Sequence, residues 1–111
     1  MKTSYYAKSA KDPNAVSIAL STPSWYKGRE YKVLAPTYGM LSDYKKTGDE
    51  VFYTSRYRNE ILRILDPERV WRELGENAVL LCYEKSGKFC HRHLVSKWLS
   101  DSLGIVIEEV L

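Results

Sequence analysis

The stretch VLLCYEKSGKFCHRHLVSKWL, Val79 to Leu99, decides how this chain is read. Its opening continues an apolar run from Ala78 to Tyr83 that shows no alternation, the pattern of a strand buried on both faces of a parallel sheet. A polar loop (Glu84, Lys85, Ser86, Gly87, Lys88) follows, and a helix begins near Cys90 and stops before Gly104. On that helix His91, Leu94, Val95 and Trp98 share one face at spacings of 0, 3, 4 and 7. Arg92 and Ser96 fall beside the face, and His93 and Lys97 turn outward.

Working outward, three more segments read as strands: Tyr5 to Lys8, Ala15 to Leu20 after the turn Asp12-Pro13-Asn14, and Ile105 to Val110 at the end. Helical spacing joins Tyr38, Leu41 and Tyr44. A longer helix from near Asp49 puts Tyr53, Tyr57, Ile61, Ile64 and Leu65 on one stripe. Asp66-Pro67 reads as an N-cap with proline at the first helical position, and Gly75 closes that short helix. Strands separated by helices predict an α/β fold: a small two-layer or three-layer sandwich with a mostly parallel four-stranded sheet. An α+β fold with an antiparallel sheet is the alternative.

Length and composition bound the rest. The 111 residues suit one domain spanning 1–111, and 44% hydrophobic with 28% charged residues is ordinary for a globular chain. A net charge of +3 tolerates an acidic ligand without demanding one. No apolar run approaches the roughly 20 residues of a membrane span. The N-terminus lacks the apolar region of a secretory signal. Two cysteines make no disulfide framework, so a cytoplasmic setting and free thiols are expected. A Cys82–Cys90 disulfide would require the loop between them to fold back.

The chemistry concentrates at Cys82, Glu84, Cys90, His91 and Arg92. A helix N-terminus stabilises anions, and a cysteine placed there beside His and Arg gains thiolate character. His91 then serves as proton carrier, Glu84 as its orienter or as an acid/base, and Arg92 as an anion clamp. Arg92 is electrostatically misplaced at a helix start unless an anion lies nearby, which points to an acidic ligand. Zinc ligation by Cys82, Cys90, His91 and His93 is disfavoured. The two histidines cannot easily face one metal, and the spacing matches no common finger, so no metal or cofactor is expected. Phosphatase and rhodanese loops carry Arg six residues after Cys, where this chain has Lys88. A second constellation follows the second strand: Trp25 and Tyr26, flanked by the cations Lys27 and Arg29, form a stacking platform, expected on the same edge as Cys82 if the sheet is parallel there.

The run LLCYE followed by CHR at a helix start resembles the DUF488 family of small prokaryotic and phage proteins. SWYKG-x-x-Y-x-x-LAP (Ser24 to Pro36), the Tyr53–Tyr57 helix and the LDPE turn (Leu65 to Glu68) are similar to a short-form branch of it. The resemblance implies an α/β fold and a site at Cys82…Cys90-His91-Arg92, with no assigned reaction. Longer relatives carry Asp-x-Arg on the strand that here reads Ser17-Ile18-Ala19-Leu20-Ser21.

These readings favour a small cysteine-dependent enzyme acting on a phosphorylated or nucleotide-like substrate. Cys90 or Cys82 is the nucleophile, and Arg92, Trp25, Tyr26 and Lys27 hold the substrate. The partner expected is a small anionic or nucleotide-like ligand, with no membrane. Alternatives are a non-catalytic nucleotide or nucleic-acid binding module, and a structural or interaction protein.

Overall fold

In the computed structural model, which covers residues 1–111, every strand pairing is parallel. The strands are β1 (Lys2–Tyr5), β2 (Ala15–Ser17), β3 (Arg29–Glu30), β4 (Val79–Cys82) and β5 (Glu108–Glu109), in the order β3-β2-β4-β1-β5. The α/β class is therefore the expected one, with five strands in place of four. The extra strand, β3, is two polar residues on an open edge, too short to leave a pattern in the sequence. Central β4 is buried along its whole length, as its unbroken apolar run requires.

Strand β1 lies earlier than the expected Tyr5–Lys8, and Tyr6–Ser9 forms a single helical turn, α1. Its register, Lys2 opposite Val79 through Tyr5 opposite Cys82, buries two polar residues, Thr3 and Ser4. That polarity hid the strand from a reading based on apolar pattern. Both hydroxyls are satisfied: Thr3 Oγ1 donates to Glu109 Oε1 at 2.5 Å, and the Ser4 and Ser9 Oγ atoms lie 2.6 Å apart. Strand β2 ends at Ser17 instead of Leu20, although the Ile18 N–H still donates to the Leu81 carbonyl at 3.1 Å.

The remaining helices are α2 (Tyr38–Thr47), α3 (Glu50–Glu60), α4 (Pro67–Leu74) and α5 (His91–Leu103). Side-chain caps set three of their starts, where Thr37, Asp49 and Asp66 accept from the N–H groups of Met40, Phe52 and Glu68. Gly104, at φ 67°, closes α5 in the left-handed conformation that glycine adopts without strain. The stripe expected on α3 breaks at Glu60. A 3₁₀ turn, Leu62–Ile64, shifts the phase so that Leu62 is buried and Ile64 is 79% exposed. Replacing Asp66 with alanine should cost about 1 kcal/mol through the lost α4 cap, read as a lower urea midpoint at unchanged slope. An unchanged midpoint would show that Pro67 alone sets this helix start.

Strand alternation divides the core between the two sheet faces. Val16, Leu80, Thr3 and Glu109 form one cross-strand row. Val16 and Leu80 pack there against Leu94, Val95 and Leu99 of α5 and Tyr53 and Tyr57 of α3. On the other face Ala15, Val79 and Leu81 meet Tyr6, Ala19 and Tyr26, so the cover there is α1 and the segment after β2. The chain thus leaves β2 toward one face and leaves the neighbouring β4 toward the other. Such a divergence at the carboxyl edge opens a crevice in parallel sheets.

Candidate functional site

The crevice between the ends of β2 and β4 holds the cysteine motif. It is a cleft of about 130 Å³ lined by Leu20 and Ser21 after β2, Cys82, Tyr83 and Glu84 at the end of β4, and Cys90 and His91 at the start of α5. Its outer wall is aromatic. Tyr44, Tyr53 and Phe89 pack within 5.5 Å of one another, centroid to centroid, and all three line the cleft. Tyr83 ties the two lips together by donating its hydroxyl to the Ser21 carbonyl at 2.9 Å.

The loop from Tyr83 to Phe89 folds back and joins Cys82 to Cys90 in a disulfide spanning eight positions. This corrects the expectation of two free thiols, and the reason is topological. Cys82 ends the central strand on the same face as Leu80, two residues before it, which is the face that carries α5. Cys90 is the N-cap of α5, with extended backbone and no side-chain cap hydrogen bond, so its side chain is free to turn to the strand end. Cys82 is 2% exposed and Cys90 7%, so the helix cysteine is the more accessible of the two.

His91 is buried on the apolar face, as its spacing predicted. Its Nε2 lies 2.7 Å from the Ile18 carbonyl, which can only accept, so the proton sits on Nε2 and the lone pair on Nδ1. That lone pair faces the Cys90 sulfur at 3.8 Å. Burial drives the imidazole down to about 4; the Ile18 hydrogen bond opposes this and the Arg92 charge reinforces it. His91 is thus a neutral acceptor at pH 7, packed edge-on against the Tyr57 ring at 5.6 Å.

Arg92 departs from expectation. It is fully buried beneath the start of α5, where it was expected beside the apolar face and in reach of a ligand. Its Nε and Nη2 donate to the two carboxylate oxygens of Glu109 at 3.1 and 2.7 Å, and its Nη1 donates to Cys82 Sγ at 3.1 Å. The anion that its position calls for is supplied by the chain itself, from β5. Burial alone would raise the Glu109 carboxyl, but the hydrogen bonds from Arg92 and Thr3 and the Arg92 charge outweigh it and hold it below the usual range. Sequence reasoning passed over Glu109. The available signal was a pair of acids in a short strand with apolar neighbours, IVIEEV.

Glu84 sits on the exposed rim of the cleft. His93, expected to point outward, is half-buried, while Lys97 is exposed. Trp25, Tyr26 and Lys27 do not reach the cysteine cleft, contrary to the shared edge expected for them. They line a separate groove with Ala10–Val16 and Leu74–Ala78, beside the starting ends of β2 and β4. The segment after β2 doubles back across the second face, burying Tyr26, whose hydroxyl donates to the Arg29 carbonyl at 2.8 Å. The cysteine cleft therefore brings together Cys82, Glu84, Cys90 and His91. No lysine or arginine side chain lines it.

No helix is long and apolar enough to cross a membrane. No curated protein and no solved structure matches the chain. A family model, DUF488-N3a, described as the active DUF488-N3 subclade, matches residues 5–103, which include the cleft and both cysteines. The chain belongs to the DUF488 family.

Proposed function

We propose that the protein is a small cysteine-dependent enzyme whose reduced form acts on a flat, nucleotide-like ring held in the aromatic cleft. The observation that carries this reading is the placement of Cys90 Sγ on the cleft wall, 3.8 Å from the unprotonated Nδ1 of a buried, neutral His91. The matching subclade is described as active, in keeping with a catalytic centre. Reduction of the disulfide by two equivalents of a small thiol frees both sulfurs. As Cys90 forms a sulfur–carbon bond at an electrophilic carbon, its proton passes by way of His91 Nδ1 to the leaving group in the same step, so no charged imidazole accumulates and the leaving group departs with that proton. Water releases the product and restores the thiol, so the net change is hydrolysis of the bond to the leaving group.

The cleft sets the substrate class. At about 130 Å³ it is smaller than drug-sized pockets and suits a single ring laid against the wall that Tyr44, Tyr53 and Phe89 form. With Arg92 consumed by Glu109, a phosphate finds no cation inside. It would lie outside, along the loop carrying the exposed Lys85 and Lys88. The substrate part buried at the cysteine is therefore the ring.

Alkylation tests this directly. In reduced, chelator-treated protein at neutral pH, iodoacetamide should label Cys90 faster than Cys82, and free nucleobases or nucleosides should slow that labelling. Labelling that requires unfolding, or that no member of a nucleobase panel slows, would refute the reading.

A further inference from the structure

The same three side chains suit a second kind of ligand. Cys82 Sγ, Cys90 Sγ and a ring nitrogen of His91 lie within 4.8 Å of one another, and all three residues are buried. We propose that the reduced protein holds a thiophilic divalent cation, Zn²⁺, on Cys82, Cys90 and His91 Nδ1, with the fourth position open to the aromatic cleft. This does not rest on the proposed reaction.

Three observations support the site. First, tetrahedral zinc at 2.3 Å from sulfur and 2.0–2.1 Å from nitrogen separates its ligand atoms by about 3.5–3.8 Å. The Cys90 Sγ–His91 Nδ1 distance is already 3.8 Å. Once reduced, the two sulfurs need only part to a comparable distance. Second, the outer contacts that orient metal ligands are in place. His91 gives its other ring N–H to the Ile18 carbonyl, fixing the tautomer that leaves Nδ1 free, and Arg92 Nη1 donates to Cys82 Sγ at 3.1 Å. Third, the charges balance. Two thiolates neutralise Zn²⁺, and Arg92 is already paired with Glu109, so the filled site buries no net charge. His93 was the ligand that made zinc look unfavourable from sequence; the geometry does without it and leaves the cleft side open, the arrangement of sites that exchange a ligand.

The disulfide, free-dithiol and zinc-bound centres are then mutually exclusive. Two equivalents of a small thiol reduce the disulfide, giving two Cys thiols and one small-molecule disulfide. Zinc uptake by the two thiols then releases two protons.

The test uses the full chain, reduced and stripped with a chelator, then titrated with Zn²⁺ alone against a chromophoric competitor. The expected result is one Zn²⁺ per chain, with both cysteines shielded from iodoacetamide. Co²⁺ in its place should give thiolate-to-metal charge transfer and the intense visible bands of tetrahedral cobalt. Cys82→Ser and Cys90→Ser should each weaken binding by about 100-fold or more, at or beyond the top of the 10–100-fold range of an outer-shell partner. Oxidation to the disulfide should abolish binding, and a thiol should restore it. Substoichiometric zinc, octahedral cobalt spectra, or undiminished binding by the folded Cys82→Ser/Cys90→Ser double variant would overturn the proposal. Zinc failure with nucleobase-protected Cys90 labelling would leave the enzymatic reading standing. Tight zinc binding without such protection in the metal-free protein would uphold the metal site and remove the enzyme.

Discussion

Arg92→Ala should destabilise the protein by about 3–5 kcal/mol, because it strands the Glu109 carboxylate beneath α5 without its partner. The guanidinium is fully buried, and every group it contacts belongs to a different element: Glu109 on β5 and Cys82 on β4. Removing it deletes three hydrogen bonds at once and opens a void under the first turn of the longest helix. For a chain of this size the loss corresponds to a fall in Tm of more than about 10 °C. Thermal and urea unfolding under reducing conditions would measure it. Arg92→Met combined with Glu109→Leu should recover part of the loss, since an apolar pair removes the orphaned charge. A single-variant loss below about 1 kcal/mol would mean that the pair is no structural tie, and Arg92 would again be available to a ligand.

The second large effect is on pH dependence. His91 titrates at 6.5 in an unfolded chain and at about 4 in the fold, where burial excludes its charged form. Below pH 6.5 the unfolded chain therefore binds a proton that the folded chain refuses, and stability falls until the pH passes about 4. A gap of about 2.5 pH units, at 1.36 kcal/mol per unit, amounts to about 3 kcal/mol. Glu109 acts in the same direction at lower pH. Its carboxyl lies below the usual value in the fold, so its stabilisation is present above the unfolded value and is lost as the pH falls through the folded one. His93, also lowered chiefly by burial, adds the same sign in the upper window. Urea midpoints between pH 8 and pH 4, in reductant and chelator, should decline for the wild type, decline much less for His91→Gln, and decline nearly as steeply as the wild type for His93→Gln. A wild-type curve flat between pH 6.5 and pH 4.5 would show that His91 accepts its proton in the fold.

Much of this site could be read along the chain because its parts are local. The unbroken apolar run to Cys82, the polar loop and the helix start at Cys90 sit within one short stretch, and periodicity alone places His91 on the buried face. The caps at Asp66 and Gly104 were legible for the same reason, since each depends on residues within one turn. Arg92 shows where such reasoning stops. Helical phase put it beside the apolar face, and helix electrostatics correctly demanded an anion. But the anion lies on β5, and only the register of Thr3 opposite Glu109 carries it under the helix. Trp25 and Tyr26 failed differently. A loop's exit edge follows from its strand, but its subsequent path over the sheet does not, and here it covers the second face.

The amino-acid order by itself determined the α/β class, the central buried strand and the cysteine-bearing helix start, because burial pattern and capping act between near neighbours. Tertiary structure alone decided that Cys82 meets Cys90, that Arg92 is spent on Glu109, and that the cleft is walled by aromatic rings without cations. Those outcomes depend on which strands lie side by side and on which face each connection crosses, and the packing of the whole sheet fixes both.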